Sequence, residues 1–599
     1  MPMGILQSRS LDHVPGTTRY FDDPERPQIA TGTAADDAGL KCDRSGPVPI
    51  ILVPQPSDDP NDPLNWPLWR RDLITFILSM TAIFATSLGS ILASNTMVMT
   101  ALFTTTFTKV ALMTGYFLLG VGGAAVFFVP SARVWGKRHA LIIGLVFLIF
   151  SSAWGGAARD SRGRGSYDSF VAARAVQGIG CAPYETLVNA AVSDLYFVHQ
   201  RGLRMAFTNL AVFGGAFFTP IVVGKITHEI GWWWSFNLIS IFCAVCLPAV
   251  FFFCPEMAYR RDAALNTDLA VAGERRAGET ADGEQQTSSS SAELRVSEGT
   301  EKAPDTPPTQ PQSTPAGPEN TTPPAEAVPV VGDGGPTTDA IPAKKTFIQS
   351  LALVDGRKTD DAYWRLLLRP FALIFHPAFL WACLTQGTMI GWTVFIGAII
   401  ASIFSAPPYY WDEVKNGYSY TGPFLGALAG FGLAGLLADW SAKFMTKRNG
   451  GVYEPEFRIV LVAPMAVLGC AGLYGFGITA SQLITGRYHW SVPVAFFGLQ
   501  VAGMVVGTVS SSLYIVDAYR DLAIEGFTMM IIFKNFFSFV LTFYAFDWVT
   551  TGLGIRDTMT IIASIQVAVC LTSIPMYIYG KKMRALSHRR DLLRALNLR

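Results

Sequence analysis

The chain has 599 residues, of which 50% are hydrophobic and only 15% charged, against about 25% charged in a typical soluble domain. Its 46 Lys and Arg are balanced by 45 Asp and Glu, so there is no net basic charge to argue for a nucleic-acid partner, and basic residues carry information only through position. The eight cysteines are scattered, and all but Cys42 lie within or beside apolar runs, which argues against a disulfide framework. Cys243 and Cys246 form a C-x-x-C without a second ligand pair, so they read as small helix residues and no metal site or cofactor is expected.

Residues 1–72 are polar and proline-bearing, without a basic-then-apolar signal pattern, and read as a largely disordered cytosolic tail. A bilayer crossing needs about 20 apolar residues at ~1.5 Å rise each. Twelve segments qualify. The first six lie near Leu73–Ser94, Ala111–Pro130, Ala140–Ala158, Phe170–Ala190, Met205–Ile226 and Trp233–Cys254. The second six lie near Ala378–Phe404, Tyr418–Trp440, Ile459–Ala480, Ser491–Tyr514, Ala523–Val549 and Met559–Tyr579. Between them, residues 255–370 are rich in Ser, Thr, Pro, Gly and Glu, as in a largely disordered loop. The expected fold is all-α: a polytopic membrane protein of twelve transmembrane helices in two six-helix bundles, 73–254 and 371–580, with a basic tail at 581–599.

Basic clusters at Arg70–Arg71, Arg133–Arg138, Arg201–Arg204, Arg260–Arg261 and Lys443–Arg448 all fall on one side of this topology. By the positive-inside rule that side, both termini and the central loop are cytosolic, so the sequon at Asn320 should stay unglycosylated. Two bundles joined by a long loop is the outline of a transporter that rocks about a midplane site. Enzyme signatures such as HExxH, GxSxG and the phosphate-binding G-x-x-x-x-G-K-[ST] are absent. Gly430, Gly432 and Gly435 spell G-x-G-x-x-G inside an apolar run with no preceding strand, so helix packing outweighs dinucleotide binding.

A basic turn follows the second span of each half: VPSARVWGKRHALI and GLLADWSAKFMTKRNGG. The pair resembles the cytosolic-loop motif of the major facilitator superfamily. Gly136, Lys137 and Arg138 match its glycine and basic residues, Asp439 its acidic residue, and Lys443 lies in the same second-half turn. Arg133 stands where the motif usually has aspartate, and Asp194 is the nearest obvious acidic partner for Arg133, Lys137 or Arg138. These residues either form a gating latch of ion pairs or only set topology and bind headgroups.

Span 4 carries Arg174, Gln177, Gly178 and Gly180 as R-x-x-Q-G-x-G, resembling the superfamily motif whose arginine is linked to proton coupling. A guanidinium inside a span needs carbonyls, a carboxylate or water; the alternative is snorkelling to the nearer end. In span 5, Gly214, Gly215, Pro220 and Gly224 resemble the antiporter motif, with a structural kink as the plain alternative. NDPLNWP, FVHQRG, Pro255-Glu256, KRNGGVYEPEFR and VDAYRD followed by FKNFFSF extend the resemblance to fungal twelve-span drug:proton antiporter-type facilitators.

Glu185 in span 4 and Lys534 in span 11 are ionisable residues well inside apolar runs, where neither can cheaply face lipid. In a central cavity Glu185 can carry a proton or hold a cation, and Lys534 with Asn535 can set its charge state or bind an anionic group; a static interhelical contact is the alternative. The reading is a multi-pass protein of the plasma or vacuolar membrane that exports a small organic compound against protons. It needs no obligate protein partner. Uptake of a cationic or nutrient solute is the near alternative, and a membrane-embedded enzyme or transporter-like sensor the remote one.

Overall fold

The computed structural model describes residues 4–6, 14, 17–19, 41–43, 50–52, 54–158, 166–260, 343–450, 452–483, 485–519, 522–550, 552–589 and 592–598. Most of the central loop, including Asn320, lies outside the described residues. The first half forms α1 (Leu68–Ser90), α2 (Phe107–Trp135), α3 (Arg138–Ala157), α4 (Tyr167–Leu195), α5 (Val198–Ile230) and α6 (Trp232–Phe253). The second begins with a short amphipathic helix, α7 (Tyr363–Leu373), followed by α8 (Pro377–Ser405), a six-residue α9 (Glu413–Tyr418) and α10 (Thr421–Arg448). The ninth span, Pro455–Ser481, opens as a 3-10 turn, passes through a π turn at Ala466–Cys470 and ends as α11 (Ala471–Ser481). Helices α12 (Ser491–Ala518), α13 (Ala523–Thr550), α14 (Gly554–Leu571) and α15 (Ser573–Arg589) complete it.

Among the described residues, 11 helical runs are long and apolar enough to cross a membrane. The remaining crossing is α4, 29 residues long. Arg174, Gln177, Glu185 and Asp194 dilute its apolar character, yet it spans because its neighbours rather than lipid surround it. Glycine makes that enclosure possible. A Cβ on Gly178 would strike the Phe117 carbonyl of α2, and one on Gly180 would come within 2.8 Å of the Gly144 carbonyl of α3. Backbones approach this closely only where side chains are missing.

Each bundle has its own apolar core: one built on Ile74, Leu145, Phe170, Tyr184 and Phe236, the other on Phe379, Phe395, Phe476, Phe497 and Tyr514. Phe150, Val245, Leu436 and Val467 stay exposed, as a lipid-facing surface requires. Between the halves, α2 lies against α13 from Phe107–Phe546, whose rings stack at 5.4 Å, down to Arg133 and Glu525. On the other side α5 meets α10 through Phe218–Phe424 and Phe213–Phe431. A Cβ on Gly430 of the G-x-G-x-x-G would come within 3.0 Å of Ala502 and Val505, whereas Gly432 and Gly435 face open space.

At the face carrying the chain ends, Arg584 of α15 forks onto Glu454 and Glu456 at 2.9 and 2.7 Å, with Lys581 at 2.5 Å from Glu454. The described parts of the N-terminal tail pack here. Ile5 is buried against Met445, Tyr453 and Phe457, and Thr18–Arg19 pairs antiparallel with Val452–Tyr453. The expectation of a largely disordered tail therefore does not extend to these segments.

Candidate substrate cavity and the ion pairs between bundles

Between the bundles lies a cavity of about 200 Å³. Its walls are mostly apolar, with Phe117, Phe213, Phe217 and Phe497 supplying aromatic faces, and Glu185, Lys534 and Asn535 reach it. Lys534 Nζ donates to Glu185 Oε1 in an ion pair. The pair crosses from α4 of the first bundle to α13 of the second, with the Glu185 side chain 17% and the Lys534 side chain 10% exposed. Asn535 spends its amide on the Ile531 carbonyl at 3.0 Å, leaving its carbonyl oxygen as the remaining polar atom.

Arg174 and Gln177 are not brought to this site. Arg174 is fully buried inside the first bundle, donating to Gln177 Oε1 at 2.8 Å and to the Met113 carbonyl at 3.4 Å, with Phe117 4.8 Å beneath its guanidinium. Gln177 passes the chain of bonds on to the Ser151 carbonyl at 3.1 Å. Snorkelling is absent. The eleven-residue separation puts Arg174 and Glu185 on nearly one face of α4, but α2 and α3 close over the arginine while the glutamate opens on the cavity. One guanidinium nitrogen of Arg174 has no hydrogen-bond partner among the described residues.

The three cations of the first-half turn go to three different partners. Lys137 pairs with Asp194 at 2.5 Å, within the first bundle. Arg138 donates to the Cys254 and Phe251 carbonyls at 2.5 and 2.7 Å and caps the end of α6. Arg133 pairs with Glu525 at the start of α13, across the bundles. Arg369 of α7 stands 3.6 Å from the same carboxylate and forks onto Asp361 at 2.9 and 3.1 Å. Gly136 takes φ +95°, which lets the Lys137 and Arg138 amides donate to Glu256 at 2.9 and 3.0 Å. In the second half Asp439 and Lys443 are exposed, and neither joins an ion pair among the described residues.

Sequence reasoning missed Glu525 as the partner of Arg133 and Arg369 as the second cation beside that carboxylate. Glu525 sits at the start of the span α13 and Arg369 in the short helix that precedes α8, positions where a charge is cheap and gives no burial signal. The span 5 motif serves packing: Gly215 lies against Ile83 of α1, and a Cβ on Gly224 would come within 2.5 Å of the Glu413 carbonyl of α9. A Cβ on Gly417 of α9 would in turn meet the Pro220 carbonyl at 2.6 Å, while Gly214 is buried facing Leu210. Beyond them His228 approaches Glu413 at 3.2 Å.

Two helical bundles meeting over a central cavity, with ion pairs crossing between them, define a secondary transporter rather than an enzyme. The chain belongs to the Major Facilitator Superfamily, whose sequence model matches residues 75–521. Protein HOL1 of Saccharomyces cerevisiae is 26% identical, over 98% of this chain and 98% of its own length. The citrinin biosynthesis cluster transporter mrr1 of Monascus ruber is 23% identical over 93% and 96%. The fold matches the partially occluded, inward-open xylose transporter XylE of E. coli with a TM-score of 0.52 at 12% identity, covering 84% of this chain and 97% of that one.

Proposed function

We propose that this transporter exports a small, partly apolar organic compound in exchange for protons. The observation that carries the reading is the Glu185–Lys534 pair, which joins the two bundles across the cavity. While Glu185 is ionised, its attraction to Lys534 holds α4 to α13. Protonation of Glu185 removes that attraction, and a substrate that engages either group competes for it, so the proton and the substrate bias the same inter-bundle contact. The aromatic walls provide area for an apolar body. Export is supported by the tight α5–α9 seam built on the antiporter-type glycines and by similarity to a transporter named for a biosynthesis cluster.

The face carrying the chain ends is the cytosolic one in this reading, because Arg70, Arg71, Arg133, Lys137, Arg138, Arg204 and Lys447 gather there. The coupling test is transport in sealed vesicles with an imposed pH gradient, screened against organic cations, drugs and metabolites. Glu185→Gln reaches the membrane, keeps substrate exchange and loses gradient-driven transport, while Glu185→Asp keeps part of it. Full proton-driven transport by Glu185→Gln makes the residue a structural contact and moves coupling elsewhere.

A further inference from the structure

We infer that α7 rests in the bilayer boundary at the face carrying the chain ends, with its outward stripe among lipid acyl chains, and thereby ties lipid contact to the Arg133–Glu525 pair. Trp364, Leu368 and Phe371 of α7, and Phe375 just beyond it, are 70%, 50%, 41% and 81% exposed. Their spacing of four, three and four residues makes a single helical stripe. The opposite side, Leu366, Arg369, Pro370 and Leu373, is buried against the protein.

Lipid is the occupant because the stripe is continuous with a membrane-spanning surface: Phe375 lies two residues before Pro377, where α8 begins, and Leu380 of α8 is exposed in turn. Trp364 and the exposed Arg365 open the helix side by side, the pairing of an aromatic ring at headgroup level with a cation reaching phosphates. The buried side reaches both bundles. The Tyr363 hydroxyl donates to the Phe127 carbonyl at 3.2 Å and its ring lies 5.5 Å from Trp135 of α2. Arg369 holds the Leu598 carbonyl at 2.7 Å and stands beside Glu525 of α13. A helix held down by lipid on one side therefore presses its arginine onto the inter-bundle carboxylate on the other. This placement is independent of the transported compound and of its direction.

The test uses full-length protein in phosphatidylcholine vesicles, carrying bimane on Leu368→Cys, Phe375→Cys or Arg365→Cys; protein without the added cysteine gives the background, and the native cysteines of the spans, Cys181 to Cys570, are buried or half-buried. Lipids brominated on their acyl chains quench the labels at 368 and 375 more than that at 365, and aqueous iodide shows the reverse order. Equal iodide access at all three positions with no bromolipid quenching overturns the placement. So does cross-linking between copies through position 375 in place of lipid quenching. Leu368→Ser with Phe371→Ser, which touches only the exposed stripe, raises the population with the bundles apart at the chain-end face, read as the distance between spin labels at Trp69 and Lys443. An unchanged distance distribution overturns the tie to the ion pair.

Discussion

The Arg133–Glu525–Arg369 cluster yields a non-additive prediction. Glu525 is 4% exposed and Arg133 31%, and Arg369 stands 3.6 Å from the same carboxylate. Arg133→Ala leaves Glu525 with Arg369, so the cost is that of a partly exposed pair, about 1 kcal/mol, or roughly a fivefold shift towards bundles apart at this face. Arg369→Ala leaves Glu525 with Arg133, and Asp361, 39% exposed, rehydrates, so its cost is again about 1 kcal/mol. The double variant strands a buried carboxylate with neither cation, which costs ~3–5 kcal/mol. The expected coupling is thus ~1–3 kcal/mol beyond the sum of the singles. Spin labels on the exposed Trp69 and Lys443 report the open population by pulsed electron resonance in each variant. Additivity to within ~0.5 kcal/mol would refute a shared carboxylate.

Lys534→Met alone leaves Glu185 unpaired in the cavity and lowers the yield of folded protein; adding Glu185→Gln removes the stranded charge and restores it, as size-exclusion profiles will show. Gly178→Ala drives a methyl into the Phe117 carbonyl and costs ~1–3 kcal/mol. Gly432→Ala, with nothing nearby, gains ~0.5–1 kcal/mol in the helix; thermal melts in detergent compare the two. Arg584→Ala strands Glu456, 0% exposed, and leaves Glu454 with Lys581 alone, costing ~3–5 kcal/mol. Arg584→Lys recovers only part, because an ammonium cannot reproduce the fork on two carboxylates.

Glu185 and Lys534 were legible as residues that must turn inward because a charge inside an apolar run is expensive wherever it faces lipid. Their pairing with each other was not, since it joins residues 349 apart in sequence. Arg174 was legible as a buried arginine, but whether its face of α4 opens on a cavity or on a neighbouring helix depends on how closely that neighbour approaches. Glycines at 120, 144, 178 and 180 decide that approach, and each contact needs two helices at once.

The sequence by itself determined the class, the two halves and the side on which basic residues gather, because hydropathy and charge act locally on each span as it meets lipid or water. It also named the ionisable residues that must turn inward. Tertiary structure alone decided which charges meet. Arg133 to Glu525, Lys137 to Asp194 and Lys534 to Glu185 are long-range contacts set by which helices pack side by side. Packing likewise gave Arg174 carbonyls and a ring where coupling chemistry would use water, since a side chain's surroundings are fixed by the helices that close around it.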